Sequence, residues 1–357
     1  VDRPHPPVPR GRGAARDPAN RFTRLRIVPD EPEARRETVY LRDDARTVIS
    51  RNASPDIPFD RSLNPYRGCE HGCAYCYARP FHEYLGLSAG LDFETRILVK
   101  EDAPVLLERE LAAPGYAPAP IDLSGVTDPY QPVERRLRLT RRCLEVLARC
   151  RHPVVVVTKN AGVLRDADLL GELARHRAAA VWLSVTTLDP ALAARLEPRT
   201  SAPPARLEAL RGLAAAGVPV GVLVAPVIPG LTDHELPAIL AAAAAAGARF
   251  ARWIPVRLPG AVAEIFADWL ERHEPRRARA VLRKIRDMRG GRLDDPRFGH
   301  RMRGTGPLAA QLGRLFEVTC RRLGLAPGAP PLDASGFRPP GGHQLHLFAD
   351  GGSPRPA

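Results

Sequence analysis

The stretch Asn64-Pro65-Tyr66-Arg67-Gly68-Cys69-Glu70-His71-Gly72-Cys73-Ala74-Tyr75-Cys76-Tyr77-Ala78-Arg79 decides how the chain is read. It sets three cysteines in a C-x3-C-x2-C spacing. Gly68 and Gly72 let the backbone turn tightly, including through positive φ. Such a loop can aim three sulfurs at one small object. Cys thiolates are the usual ligands of iron–sulfur clusters, and a four-iron cube held by only three of them keeps one iron open. A zinc ion is the alternative, with His71 or His82 as its fourth ligand. Structural zinc usually takes two separated ligand pairs, and no second pair occurs in this sequence.

Downstream of the loop, short β-branched runs recur at 97–99, 121–123, 154–158, 181–185, 218–225 and 250–254. Amphipathic stretches at 133–150, 164–175, 204–216 and 234–246 lie between them. Strands alternating with helices predict βα units around a parallel sheet. The expected fold is α/β, a partial (β/α)6 TIM-like barrel over 61–260. Residues 1–60 read as an irregular, basic Pro/Arg-rich arm with a short strand or two within 38–49 and no part in the site. Residues 261–325 read as a basic helical extension, with Val262, Ile265, Phe266, Trp269 and Leu270 on one helix face. A third helix over 308–323 is expected to bury Leu308, Leu312, Leu315, Phe316 and Thr319. Residues 326–357 form a Pro/Gly-rich tail containing Gln344-Leu345-His346-Leu347-Phe348.

Barrels of this type place their sites at the C-terminal ends of the strands. There the sequence offers Thr127 and Asp128 after the second run, with Asp128 also suited to capping the helix near Val133. Lys159 follows the third run, one of few lysines in an arginine-rich chain, and its ammonium suits a ligand carboxylate. Ser184 lies in the fourth run. Glu197 and Arg206 read as a surface ion pair of little energetic weight. The apolar segment 225–230 reads either as a ledge for an adenine ring or as ordinary loop packing. Cys143, Cys150 and Cys320 lack ligand spacing and read as small core residues.

The loop, with Tyr75 just before the last cysteine, resembles the signature of the radical S-adenosylmethionine (SAM) superfamily. That resemblance implies a [4Fe-4S] cluster on Cys69, Cys73 and Cys76, with SAM chelated at the open iron. It further implies an external electron donor and release of a 5′-deoxyadenosyl radical. Thr127-Asp128, Val157-Thr158-Lys159, Ser184, Leu196-Glu197-Pro198-Arg199-Thr200, Arg206-Leu207-Glu208-Ala209 and Gly217-Val218-Pro219-Val220-Gly221 follow in order. Together they resemble the spore photoproduct lyase family, and within it a bacterial branch of DNA repair photolyase-like proteins. The resemblance implies that Lys159 and Ser184 hold the SAM carboxylate, with Thr127 and Asp128 also at the cofactor, and that Tyr75 and Tyr77 sit beside the radical. One departure matters. Where that family carries a cysteine that returns a hydrogen atom to the repaired base, this chain has Gly125. The cofactor chemistry carries over, but thymine-dimer repair does not follow.

The chain of 357 residues carries a net charge of +13. Between Leu270 and Leu325, fifteen Lys/Arg stand against six Asp/Glu, a surplus of nine. A nucleic-acid partner is one reading of that surplus and a solvated helix face is the other. The tail peptide resembles a sliding-clamp-binding motif. No apolar run is long enough to span a membrane, and six cysteines without a disulfide pattern fit a cytoplasmic protein. Three functions are carried forward. They are radical SAM chemistry on nucleic acid, the same chemistry on a protein or small molecule, and a zinc-bearing nucleic-acid-binding protein without catalysis.

Overall fold

A computed structural model of the chain describes residues 11–23 and 37–341. Its strands are β1 (Val39–Arg42), β2 (Ile49–Arg51), β3 (Arg61–Leu63), β4 (Tyr66–Arg67), β5 (Arg96–Val99), β6 (Ile121–Leu123), β7 (Val154–Thr158), β8 (Ala179–Ser184), β9 (Val220–Val227) and β10 (Phe250–Pro255). Seven form one sheet in the order β10-β9-β8-β7-β6-β3-β2. All neighbours from β3 to β10 pair in parallel, while β2 joins β3 antiparallel. Six parallel strands make the partial barrel, whose edges β2 and β10 are far apart in the strand order. β8 is buried along its whole length, as expected of a parallel strand covered on both faces. Helices Leu139–Arg149, Ala167–Arg175, Pro203–Ala215 and Leu236–Ala245 supply the outer layer. Leu144, Leu173, Leu213 and Ile239 pack there with Leu123, Val156, Val181 and Val222 in one core.

The alternation expected from the sequence holds, with one exchange of strands. The run at 97–99 is not a barrel strand. It is β5 of a separate sheet ordered β1-β5-β4, and β3 takes the first barrel position beside β6. The apolar Ile-Leu-Val run gave the stronger signal. β3 is three residues long and opens on Arg61, whose charge the fold absorbs by a bond to the Ala117 carbonyl and a ring contact with Tyr116. The small sheet still serves the site, because β4 runs directly into Gly68 and Cys69.

The stretch 133–150 is two helices rather than one. They break at Arg138, whose φ of 51° is left-handed. The buried Glu134 carboxylate accepts the Thr140 N–H at 3.1 Å, placing negative charge at the second helix's N-terminus, where it is favoured. In the extension, helices Val262–His273, Pro275–Met288 and Gly306–Leu323 form. The last buries Ala309, Leu312, Phe316 and Cys320, while Leu315 is exposed. Its apolar row is shifted from the expected one. Beyond it the chain returns to β10 through Ala326, and Phe337 packs on Tyr116 and His152. The tail is therefore docked as far as Arg338, whose N–H donates to Cys150 O, and Gln344–Phe348 lies outside the described residues. Among the described residues, no helix is long and apolar enough to cross a membrane.

The N-terminal arm departs most from expectation. Its strands β1 and β2 fall near the anticipated place, but residues 12–15 are buried against the cysteine loop. Gly13 and Ala14 N–H groups donate to the two Glu94 carboxylate oxygens at 3.1 and 2.8 Å, and Arg12 donates to the Glu94 carbonyl. A Cβ at Gly13 would fall 1.7 Å from the Gly72 carbonyl oxygen. Composition hid this contact because it has no period. Gly13→Ala is expected to lift the segment at a cost of about 1–3 kcal/mol. Limited proteolysis should then cleave the arm where the parent protein resists; equal resistance would show that the contact does not hold it.

Candidate active site

The cysteine loop is fixed from several sides. Gly68 and Gly72 adopt φ of 81° and 66°. A Cβ at Gly68 would come within 3.0 Å of the Phe93 carbonyl, and one at Gly72 within 2.8 Å of Glu94 Oε2. Both therefore need glycine for conformation and for space. Cys69 N–H donates to Phe93 O at 2.9 Å. Thr127 Oγ1 donates to Gly68 O at 2.6 Å, and buried Gln131 takes the Glu70 N–H at 3.0 Å. Fully buried Arg79 donates to Cys73 O from two nitrogens and pairs with Glu94. Cys76 packs against both the group holding Cys73 and the group holding Cys69. All three are free thiols. Burial pushes each thiol pKa up, and Asp128 adds to this at Cys69 as Glu197 does at Cys73.

Beside Cys73 lies a buried charge network. Glu197 pairs with Arg206 and, at 3.2 Å, with Lys159. The Tyr75 hydroxyl donates to the same carboxylate, as does Thr186 at 2.7 Å. Burial alone would raise the Glu197 carboxyl, but Arg206, Lys159, Tyr75 and Thr186 outweigh it and hold it far below the ordinary carboxylate range. The expected surface pair is thus a buried one, with Arg206 1% exposed. Lys159 also donates to Thr186 Oγ1 at 3.1 Å and Ala225 O at 2.9 Å, so its three donors are engaged. Arg206 Nη1 donates to Ser184 O. Two cations thus face one carboxylate at the C-terminal ends of β7, β8 and β9.

Asp128 does not cap a helix. Its Oδ1 accepts from Tyr130 N and Thr158 Oγ1, and its Oδ2 from Lys159 N at 2.8 Å. The buried ring of His71 stands 3.4 Å from Asp128 Oδ2 through Nδ1 and 3.2 Å from Asn160 Nδ2 through Nε2. Burial raises the Asp128 carboxyl, but His71 and these hydrogen bonds outweigh it and leave it lowered. His82 donates from Nε2 to Arg96 O at 3.0 Å, and burial lowers it to about 4. Both candidate fourth ligands are thus committed elsewhere. Among the described residues, no three His, Cys, Asp or Glu side chains are arranged to hold a metal ion, and a tetrahedral zinc needs its donors around one point. Three free cysteine thiols on one loop are a donor set of the kind an iron–sulfur cluster takes.

The predicted residues therefore fall into three groups. Tyr75, Lys159 and Ser184 share the charge network. Thr127 and Asp128 grip the loop. Tyr77 stands apart, 46% exposed, donating to Gly125 O at 2.6 Å. Within the apolar segment 225–230, Ala225, Pro226 and Gly230 are half-buried and the other three residues are buried. Sequence reasoning missed Gln131, Glu94, Asn160 and Asp122, which lack a motif. Asp122 is 2% exposed, its Oδ1 has no partner, and burial alone pushes its carboxyl up to about 7. Charge on it therefore opposes folding increasingly as pH rises from the unfolded carboxyl's value near ~3.9, and fully above about 7. Asp122→Asn should raise the thermal midpoint relative to the parent at about pH 8, with the gain vanishing toward about pH 4. A midpoint difference independent of pH would show that the carboxylate is partnered.

The Radical SAM superfamily model matches residues 63–243, just over half of the chain. A protein of Mycobacterium tuberculosis is 38% identical over 221 residues, covering 61% of this chain and 65% of its own length. This chain thus spans a little under two thirds of that relative. A protein of Methanocaldococcus jannaschii is 30% identical over 173 residues, covering 48% of this chain and 62% of its own length. Solved spore photoproduct lyase variants share the fold. A single mutant gives a TM-score of 0.57 at 18% identity over 85% of this chain and 86% of that chain. A double mutant, with bound AdoMet and a dinucleoside spore photoproduct, gives 0.58 at 17% identity over 85% and 86%. With its cysteine loop set at one end of six parallel strands, inside the matched span, the chain belongs to the radical SAM superfamily.

Proposed function

We propose that this radical SAM enzyme holds its [4Fe-4S] cluster on Cys69, Cys73 and Cys76 and acts on a nucleic-acid substrate. The observation that carries the reading is a trio of free thiols on one loop, Cys69 and Cys73 buried and Cys76 half-buried, with both nearby histidines committed elsewhere, beside a network carrying one surplus positive charge. When bound, the cluster and SAM supply a 5′-deoxyadenosyl radical. The remaining work belongs to the chain's residues. Lys159 and Arg206 exceed Glu197 by one positive charge, which favours anionic ligands in a poorly solvated place. Lys159 and Ser184 would hold the SAM carboxylate, Lys159 by exchanging one of its three present bonds. Thr127, Gln131 and Asp128 keep the loop in register. Burial, followed by the charge on Glu197, raises the Tyr75 pKa well above its ordinary value. The phenol therefore keeps its proton and its bond to Glu197. Tyr77 faces the opening where substrate arrives.

The nucleic-acid reading rests on helix Pro275–Met288. Arg276, Arg279, Arg283 and Arg286 are exposed on it at spacings that share one face. Among the described residues none of them has a carboxylate at ion-pair distance. Buried Arg289 is different, since it ties four backbone carbonyls together and takes no part in that face.

Anaerobically purified protein given SAM and a strong reductant should form 5′-deoxyadenosine, and Cys76→Ala should abolish it. Lys159→Ala should weaken SAM binding about tenfold or more while leaving iron content unchanged. Colourless protein with stoichiometric zinc, or an intact cluster that never yields 5′-deoxyadenosine, would overturn the catalytic reading. DNA affinity should fall steeply with salt, and changing Arg279, Arg283 and Arg286 to Gln should flatten the log–log slope by about 2–3. A salt-independent affinity would point instead to a protein or small-molecule substrate.

A further inference from the structure

We infer that Asp122 and Arg257 select the substrate around Tyr77, Asp122 near its hydroxyl taking an N–H donor of the reacting group and Arg257 over its ring taking an anionic oxygen. On the nucleic-acid reading, on which this rests, the two groups are a base N–H and a phosphate.

β6 places Asp122 between Ile121 and Leu123, both in the core shared with the outer helices. Alternation then directs Asp122 to the other face of the sheet, the barrel interior. Its carboxylate opens onto the empty position at Gly125, where an added Cβ would stand 3.4 Å from Asp122 Oδ2 and 3.9 Å from Ser62 Oγ. A side chain there would crowd the approach. Tyr77 anchors its hydroxyl on the carbonyl of this same glycine.

Arg257 follows β10 and lies over the Tyr77 ring, 5.6 Å from its centroid. Its Nε is buried without a partner, and among the described residues no carboxylate stands at ion-pair distance from it. Among the described residues its side chain makes a single, weak hydrogen-bond contact, to Met302 Sδ at 3.5 Å. The neighbouring Arg301 is already paired with Asp56.

Nearly all buried polar groups in native proteins are satisfied. Two side chains of opposite kind, each with a buried unsatisfied atom, one near the Tyr77 hydroxyl and one over its ring, mark a place completed by a ligand. The Asp122 carboxyl, raised to about 7 by burial, is partly protonated near neutrality and can both accept and donate. That suits the adjacent N–H and C=O of a lactam edge, while a guanidinium suits phosphate oxygens.

Thymidine 5′-monophosphate, its N3-methyl derivative and thymidine form a matched probe set. The methyl group replaces the N–H donor with apolar bulk at the same edge, and thymidine lacks only the phosphate. In calorimetric titrations of cluster-containing protein, the parent should prefer the first probe over each of the others by about tenfold. Asp122→Ala should erase the preference against the N3-methyl probe alone, and Arg257→Gln the preference against thymidine alone. Asp122→Leu, of similar shape without polar atoms, serves if the alanine variant loses iron or near-ultraviolet circular dichroism. A parent that binds no probe, or preferences that survive both substitutions, would overturn the assignment. Salt-dependent DNA affinity indifferent to both substitutions would overturn it while leaving the nucleic-acid reading in place. Salt-independent DNA affinity in the parent would overturn that reading separately.

Discussion

The site depends on one carboxylate held between two cations away from water. Glu197 meets Arg206 and Lys159 in a region where a buried carboxylate left without its cations would be costly. Through it, groups that follow three consecutive strands are bound together. Lys159 comes from the end of β7, Thr186 from just beyond β8, and Ala225 O from β9. Tyr75 ties the cysteine loop to the same point. The network therefore sets the position of the loop relative to the sheet. It also leaves one positive charge in excess beside Cys73, whose thiol is pushed up by burial and then by Glu197, with Lys159 and Arg206 pulling the other way.

Much of this was legible in the chain. The C-x3-C-x2-C loop, the five strands from β6 to β10 and the outer helices announce themselves through glycines, β-branched runs and helical spacing. Each of these signals is local. What stayed hidden is decided by partners far away in sequence. Glu197 and Arg206 look like any exposed pair until Lys159 and Tyr75 arrive from other elements. Three residues of β3 with a leading arginine cannot outweigh the apolar run of β5. Asp122 has the sequence pattern of an ordinary strand residue, and only the missing side chain at Gly125 shows what it faces. Leu315 carries the right period but loses its place because Ala309 and Cys320 lie nearer the helix's buried row.

The positive charge of the C-terminal extension likewise has two physical meanings that composition merges. Arg289 is an internal clasp, satisfied by four carbonyls. The row from Arg276 to Arg286 is solvated, with no carboxylate at ion-pair distance among the described residues. Only the second kind contributes a field that reaches a polyanion. A net charge counted along the chain overstates that surface by including the clasp.

Glu94 also has a consequence for how the loop opens. The segment around Gly13 is held to it by a few backbone bonds, whereas Arg79 is locked to it from inside. These two attachments differ greatly in how much structure must come apart to break them. The outer one can peel away as a small local fluctuation, far below the free energy of losing the barrel. Access of solvent, and of anything dissolved in it, to the Gly72 side of the loop is therefore governed by the arm's grip on one carboxylate.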